Sequence, residues 1–161
     1  MALIYETKNF IVESFEKPTP HVSREEGGHI RIIPKIKISD RTEMDPDVAI
    51  ECVRLTMIVG EALKNGMIKR GVKIMRINYH DMGNWAFKTG KKPFFHIHIY
   101  GRAIDAKYQP YQEAVYLPDR KSAEGFYDNF KPLDVEDIKE IKKEIERLFT
   151  QEKYQDKNWH L

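Results

Sequence analysis

Two histidines one residue apart, His96 and His98, sit inside the run "PFFHIHIYGR" (93–102). Side chains alternate faces along an extended strand, so His96, His98 and Phe94 share one side and Phe95, Ile97 and Ile99 the other. The apolar side calls for a helix or a core to cover it, which makes the histidine side the open one. Imidazole is largely neutral near pH 7 and can ligate a metal, move a proton or attack an electrophile. Such a pair is also often a satisfied structural feature. On its own it leaves a structural, a metal-binding and a catalytic reading open, and His29 is the natural third ligand for the metal one.

The elements that must hold these residues are legible in outline. "ALIYET" and "FIVESF" read as a hairpin over 2–15, turning at Lys8-Asn9. "HIRIIPK" (29–35) is a strand entered through Gly27-Gly28. Asp45 as N-cap and Pro46 at the first helical position open a long helix over 45–70. Its apolar face is read from Ile50, Val53, Met57, Leu63 and Met67, with Val53, Met57 and Leu63 expected on Ile97 and Ile99. A strand over 73–79 follows, then a polar loop, then the histidine strand. Residues 103–133 hold many aromatics and no sustained period. A second helix starts at Asp134, with Asp137 in a capping-box position and Ile138, Ile141, Ile145, Leu148 and Phe149 on one face. The last ten residues read as loose apart from Trp159. The pattern is one α+β domain, 1–161, with a mostly antiparallel sheet, a long helix on one face and a C-terminal helix.

Composition bounds the partners. The 161 residues carry a net charge of +2 with neutral histidines, too little for a dedicated duplex-binding face. Cys52 is the single cysteine, so neither an internal disulfide nor a zinc-thiolate cluster is available, and in the helix it reads as a small apolar residue. No signal peptide and no membrane span is recognisable, which makes a cytoplasmic protein the expectation.

The order of landmarks narrows the readings. "GGHIRIIPK" (27–35), the long helix, "INY" (77–79) and "HIHIYGR" (96–102) together resemble the histidine triad (HIT) superfamily over roughly residues 10–102, with 103–161 as a C-terminal extension. That family has a Gly-His entering a strand that ends in Pro-Lys, a helix, a strand ending in Asn, and a strand bearing alternating histidines with Arg often following. If Arg102 matches that Arg, the three triad positions fall on Phe94, His96 and His98, and the resemblance makes His96 the nucleophile. Counting the histidines as first and second would move the nucleophile to His98 and the third position to Tyr100. The resemblance implies that a backbone carbonyl, here Phe94's, fixes the nucleophile's tautomer and that His98 serves the leaving group. It places His29 beside the triad and makes Asn78 a substrate contact.

An insertion over 80–93 adds Asn84, Thr89, Lys91 and its neighbours as candidate phosphate ligands. Lys91 stands where the family has a hydroxyl residue, with Thr89 nearby. His21, Glu25 or Glu26 could take the ribose hydroxyls, and His80 and His160 read as surface residues. The activity implied is hydrolysis or nucleotidyl transfer at an α-phosphate through a covalent histidine, on a nucleotide substrate, without a cofactor and in a homodimer. A nucleotide-binding module without turnover, and a divalent metal site at His96, His98 and His29, are the alternatives.

Overall fold

The computed structural model describes residues 2–15, 20–81, 83–110 and 112–161. β1 (Ala2–Glu6) and β2 (Phe10–Ser14) form the expected hairpin, followed by β3 (His29–Pro34), α1 (Pro46–Lys69), β4 (Ile74–Asp81), β5 (Ile97–Ala103) and α2 (Val135–Phe149). The strands make one antiparallel sheet in the order β1-β2-β3-β5-β4, so β5 lies in the interior and β4 at an edge. Expectation and structure agree on an α+β domain.

Alternation sorts the sheet into two faces. Phe10, Val12, Ile30, Ile32, Ile97 and Ile99 are buried beneath α1. The helix turns a different stripe to them than the sequence suggested: Cys52, Leu55, Ile58, Val59, Ala62, Leu63 and Met67 are buried, whereas Val53 is 55% exposed and Met57 only partly covered. Both stripes are apolar. The one with Cys52, Ala62 and Gly66 has the small residues that let partners approach, and a Cβ on Gly66 would press on Ile141 of α2.

α2 begins with a complete capping box. Asp134 accepts from the Asp137 amide at 2.8 Å and Asp137 accepts from the Asp134 amide at 3.0 Å. The short Asp137 side chain is buried because it also takes Arg24 (Nε, 2.5 Å) and Arg70 (Nε, 3.0 Å), tying α2 to α1 and to the loop before β3. The C-terminus is ordered, contrary to expectation. Tyr154 is buried, its hydroxyl donates to Glu61 at 2.9 Å, and Arg54 donates to its carbonyl at 3.1 Å.

Candidate functional site

The site is built from cross-strand rungs on the face opposite α1. One rung runs Glu13, Arg31, His98, His80 across β2, β3, β5 and β4. The next carries His29, Tyr100 and Asn78. His96 precedes the first residue of β5, yet keeps the alternation, with Phe95 buried under the helix side. β3 and β5 can lie this close at their ends because two glycines meet. A Cβ on Gly27 would overlap the Gly101 carbonyl, and Gly27 has φ +131°, a backbone region that L side chains rarely enter. Gly101 also donates to the Gly28 carbonyl at 3.1 Å.

The hydrogen bonds fix the histidine tautomers in sequence. The His21 backbone N–H, an obligatory donor, reaches His29 Nδ1 at 3.2 Å, so that nitrogen is an acceptor. The His29 proton therefore sits on Nε2 and donates to His98 Nδ1 at 2.7 Å. His98 in turn carries its proton on Nε2. His96 is set separately: its Nδ1 lies 2.8 Å from the Phe94 carbonyl, which can only accept. Nδ1 holds the proton and Nε2 presents a lone pair. The carbonyl of Phe94 thus performs the orienting task without a histidine at that position. The rings of His96 and His98 stand edge to face, centroids 4.6 Å apart.

The histidine face is covered where the sequence suggested it was open. His98 is 4% exposed and His29 1%. Phe15 stacks on His29 with centroids 4.1 Å apart, His21 stacks on it at 5.1 Å, and Trp85 and Tyr127 pack on His21. His96 stays half-buried at the mouth. Among the described residues the cover combines Phe15, His21 and Trp85 with Tyr127 from the segment that follows β5. Arg102, buried, reaches the Pro110 and Glu113 carbonyls at 2.6 and 2.9 Å, and Gln109 bonds both the amide and the carbonyl of Tyr116. Glu26 accepts from the amides of Lys107 and Tyr108, both at 2.6 Å.

Burial holds these imidazoles neutral. It lowers His98 to about 2 and His21 to about 4, and pushes His29 well below the ordinary value. His96 is lowered less, by burial first and Arg31 further down, with the Phe94 bond acting in the opposite direction.

The structure distributes the remaining candidates unevenly. Asn78 shares the face, but its Oδ1 accepts from Arg102 at 2.7 Å. Thr89 closes its own 3-10 turn (Asn84–Thr89) by donating to the Ala86 carbonyl at 2.9 Å, and Lys91 is exposed. The Asn84 side chain lies outside the described residues. Of the three ribose candidates, Glu26 points inward, Glu25 accepts from Ser23 at 2.7 Å, and His21 joins the histidine cluster. His80 is half-buried beside Tyr100 and not a free surface residue, whereas His160 is exposed. Cys52 is buried and its thiol pushed up to about 11 by desolvation, as suits an inert core residue.

Sequence reasoning gave Phe15 and Trp85 no part in the site and left His21 one of three ribose candidates. Their positions depend on how loops close over the sheet, and no local period marks them.

His21, His29 and His98 each offer a ring nitrogen, all within 4.8 Å of one another, a set able to hold a divalent ion. The third member is His21, not His96. Both His29 nitrogens are hydrogen-bonded, Nδ1 to the His21 amide and Nε2 to His98.

No family model and no curated protein matches this sequence. Solved structures do. A hypothetical histidine triad nucleotide-binding protein from Sulfolobus tokodaii superposes with a TM-score of 0.55 at 21% identity, over 91% of this chain and 85% of that one. A zinc-bound histidine triad family protein from Mycobacterium smegmatis gives 0.56 at 17%, over 91% and 84%. A uridylyltransferase gives 0.51 at 13%, over 90% of this chain and 41% of that one. At these identities the likeness carries the fold, and the chain has the α+β fold of the histidine triad proteins.

Proposed function

We propose that the protein is a HIT-like nucleotide hydrolase or nucleotidyl transferase in which His96 attacks an α-phosphate. The observation that carries this reading is the tautomer pair: a His96 Nε2 lone pair beside a His98 Nε2–H, both set by hydrogen bonds to groups of fixed polarity. In the first step Nε2 of His96 bonds to phosphorus. The bond from phosphorus to the leaving group breaks, with the His98 Nε2–H donating a hydrogen bond to the leaving atom, whose proton comes from solvent water. Water then attacks the phosphoramidate, releases its proton to solvent and frees His96. Half-buried Ile33, one position beyond Arg31 on the same face, together with its β2 partner Ile11 offers an apolar bed for the nucleoside.

His29 supports this chemistry through His98, since its burial keeps it from touching a ligand. Asn78 would act through its amide nitrogen, while Asn84, Thr89 and Lys91 would be further phosphate contacts. A homodimer is part of the proposal. The edge strand β4 has an unpaired side, and Met75, Tyr79 and Val53 are exposed on β4 and α1. No helix among the described residues is long and apolar enough to cross a membrane.

Mass spectrometry of protein quenched during turnover of adenosine 5′-phosphoramidate tests the reading. An adenylyl group on His96 is expected. Nucleotide binding without adduct or product would replace it with a non-catalytic binding module, a reading that Phe94 at the first triad position favours. Stoichiometric zinc with loss of nucleotide binding would favour the metal site at His21, His29 and His98.

A further inference from the structure

Arg31 is the only charged residue in the strand "HIRIIP", on a face whose packing does not require it. Its rung places it directly beside His98, with Glu13 on its other side. Glu13 accepts from Arg31 Nε at 3.1 Å and also from Nη2, and the guanidinium lies 5.1 Å from the Phe15 ring centre. The same Phe15 stacks on His29. The Arg31 and Glu13 side chains are 19% and 14% exposed. A largely buried ion pair is weak as a stabilising device, because desolvation offsets most of its attraction. What it does achieve is a cation held in one place.

That cation stands among imidazoles that burial keeps uncharged, and its field reaches His21, His29, His96 and His98, lowering each of them. A guanidinium has five donors, so it can hold a carboxylate and a phosphate together. The exposed lysines of the loop, Lys91 and Lys92, have no comparable fixation by a buried carboxylate and an aromatic face among the described contacts.

We propose that Arg31 binds the non-bridging oxygens of the phosphate attacked by His96, with Glu13 and Phe15 fixing its guanidinium before substrate arrives. This rests on the nucleotidyl-transfer reading above. Charge on the phosphoryl oxygens shifts as the His96 bond forms and the leaving-group bond breaks, and a donor already in place costs no reorganisation at that moment.

The test compares wild type, Arg31→Met, Arg31→Lys and Glu13→Gln, each checked for an unchanged melting transition. Turnover of adenosine 5′-phosphoramidate and binding of AMP are both measured. Arg31→Met is expected to lower kcat about 10²–10³-fold, as loss of one transition-state donor does, with a smaller change in KM. Arg31→Lys should recover part of the loss, and Glu13→Gln should cost less than Arg31→Met. The acid limb of kcat/KM should move to higher pH in Arg31→Met, since the nearby charge no longer opposes protonation of His96. A merely structural arginine would not move that limb. Full activity in Arg31→Met, or a loss that follows only the folded fraction, overturns the proposal. Should wild type form no product, the transfer reading fails separately, and AMP decides about Arg31. At least 10-fold weaker AMP binding in Arg31→Met keeps it as the phosphate ligand, while unchanged binding, or none by wild type, rules it out.

Discussion

The two faces of β5 divide its seven residues and use them in opposite ways. Toward α1, Ile97, Ile99 and Ala103 meet aliphatic side chains, with no polar group to satisfy. Away from it, His98, Tyr100 and Arg102 are just as buried, yet they are held by directed hydrogen bonds to His29, His21 and the carbonyls of Gln109, Pro110 and Glu113, with only the Arg102 Nε left without a partner among the described residues. The first face tolerates any well-shaped apolar residue. The second fixes proton positions and is sensitive to every donor and acceptor. Burial therefore does not separate scaffold from site in this protein. Direction of hydrogen bonding does.

The sharpest break in the comparison is at the mouth of the histidine face. His96→Ala should abolish turnover of adenosine 5′-phosphoramidate while leaving the melting temperature and AMP affinity nearly unchanged, measured by steady-state kinetics, thermal denaturation and titration. A dead His98→Ala beside an active His96→Ala would instead place the nucleophile one histidine later. His98→Ala is expected to lower turnover by about 10²–10³-fold, the usual worth of one positioned transition-state hydrogen-bond donor. It should also cost stability, because the buried His29 Nε2–H loses its acceptor.

On the helix side the expected effect is of another kind. Ile99→Ala should cost about 2–5 kcal/mol in denaturant unfolding through the cavity it leaves, with kcat of the folded fraction little changed. A large change in kcat at unchanged stability would erase the distinction between the faces. The smallest expected effect near neutrality comes from pH. The folded pKa values of His21, His29 and His98 lie below the unfolded value of about 6.5. The unfolded chain then takes up protons first as pH falls. Stability should be full above about pH 6.5 and decline below it, by on the order of 3 kcal/mol from His21 alone once pH is under about 4. A flat stability from pH 7 to 4.5 would mean the cluster is open to solvent.

Much of the scaffold was legible because local rules produce it. Pro46 opens α1, Asp134 and Asp137 cap α2, and the alternation around His96 and His98 assigns β5 its two faces. The stripe of α1 was misread because Val53 and Met57 are as apolar as Leu55 and Val59, and only the approach of β5 and α2 selects between them. The segment 103–133 was opaque for a related reason. Irregular turns and the side chains of Arg102, Gln109 and Glu26 hold its described carbonyls and amides rather than a periodic ladder, and such pairings leave no trace in nearest-neighbour pattern.

The sequence by itself determined that His96 and His98 share a face, that Phe94 supplies a carbonyl two residues before His96, and that apolar residues back them. Those follow from covalent geometry and a period of two. The tertiary structure decided which nitrogen of each ring carries the proton, because that depends on His21 and His29 arriving from a loop and another strand. It also decided that His98 is enclosed while His96 stays at the mouth. That division comes from Phe15, His21 and Trp85 packing over the sheet from distant parts of the chain, which no local propensity encodes.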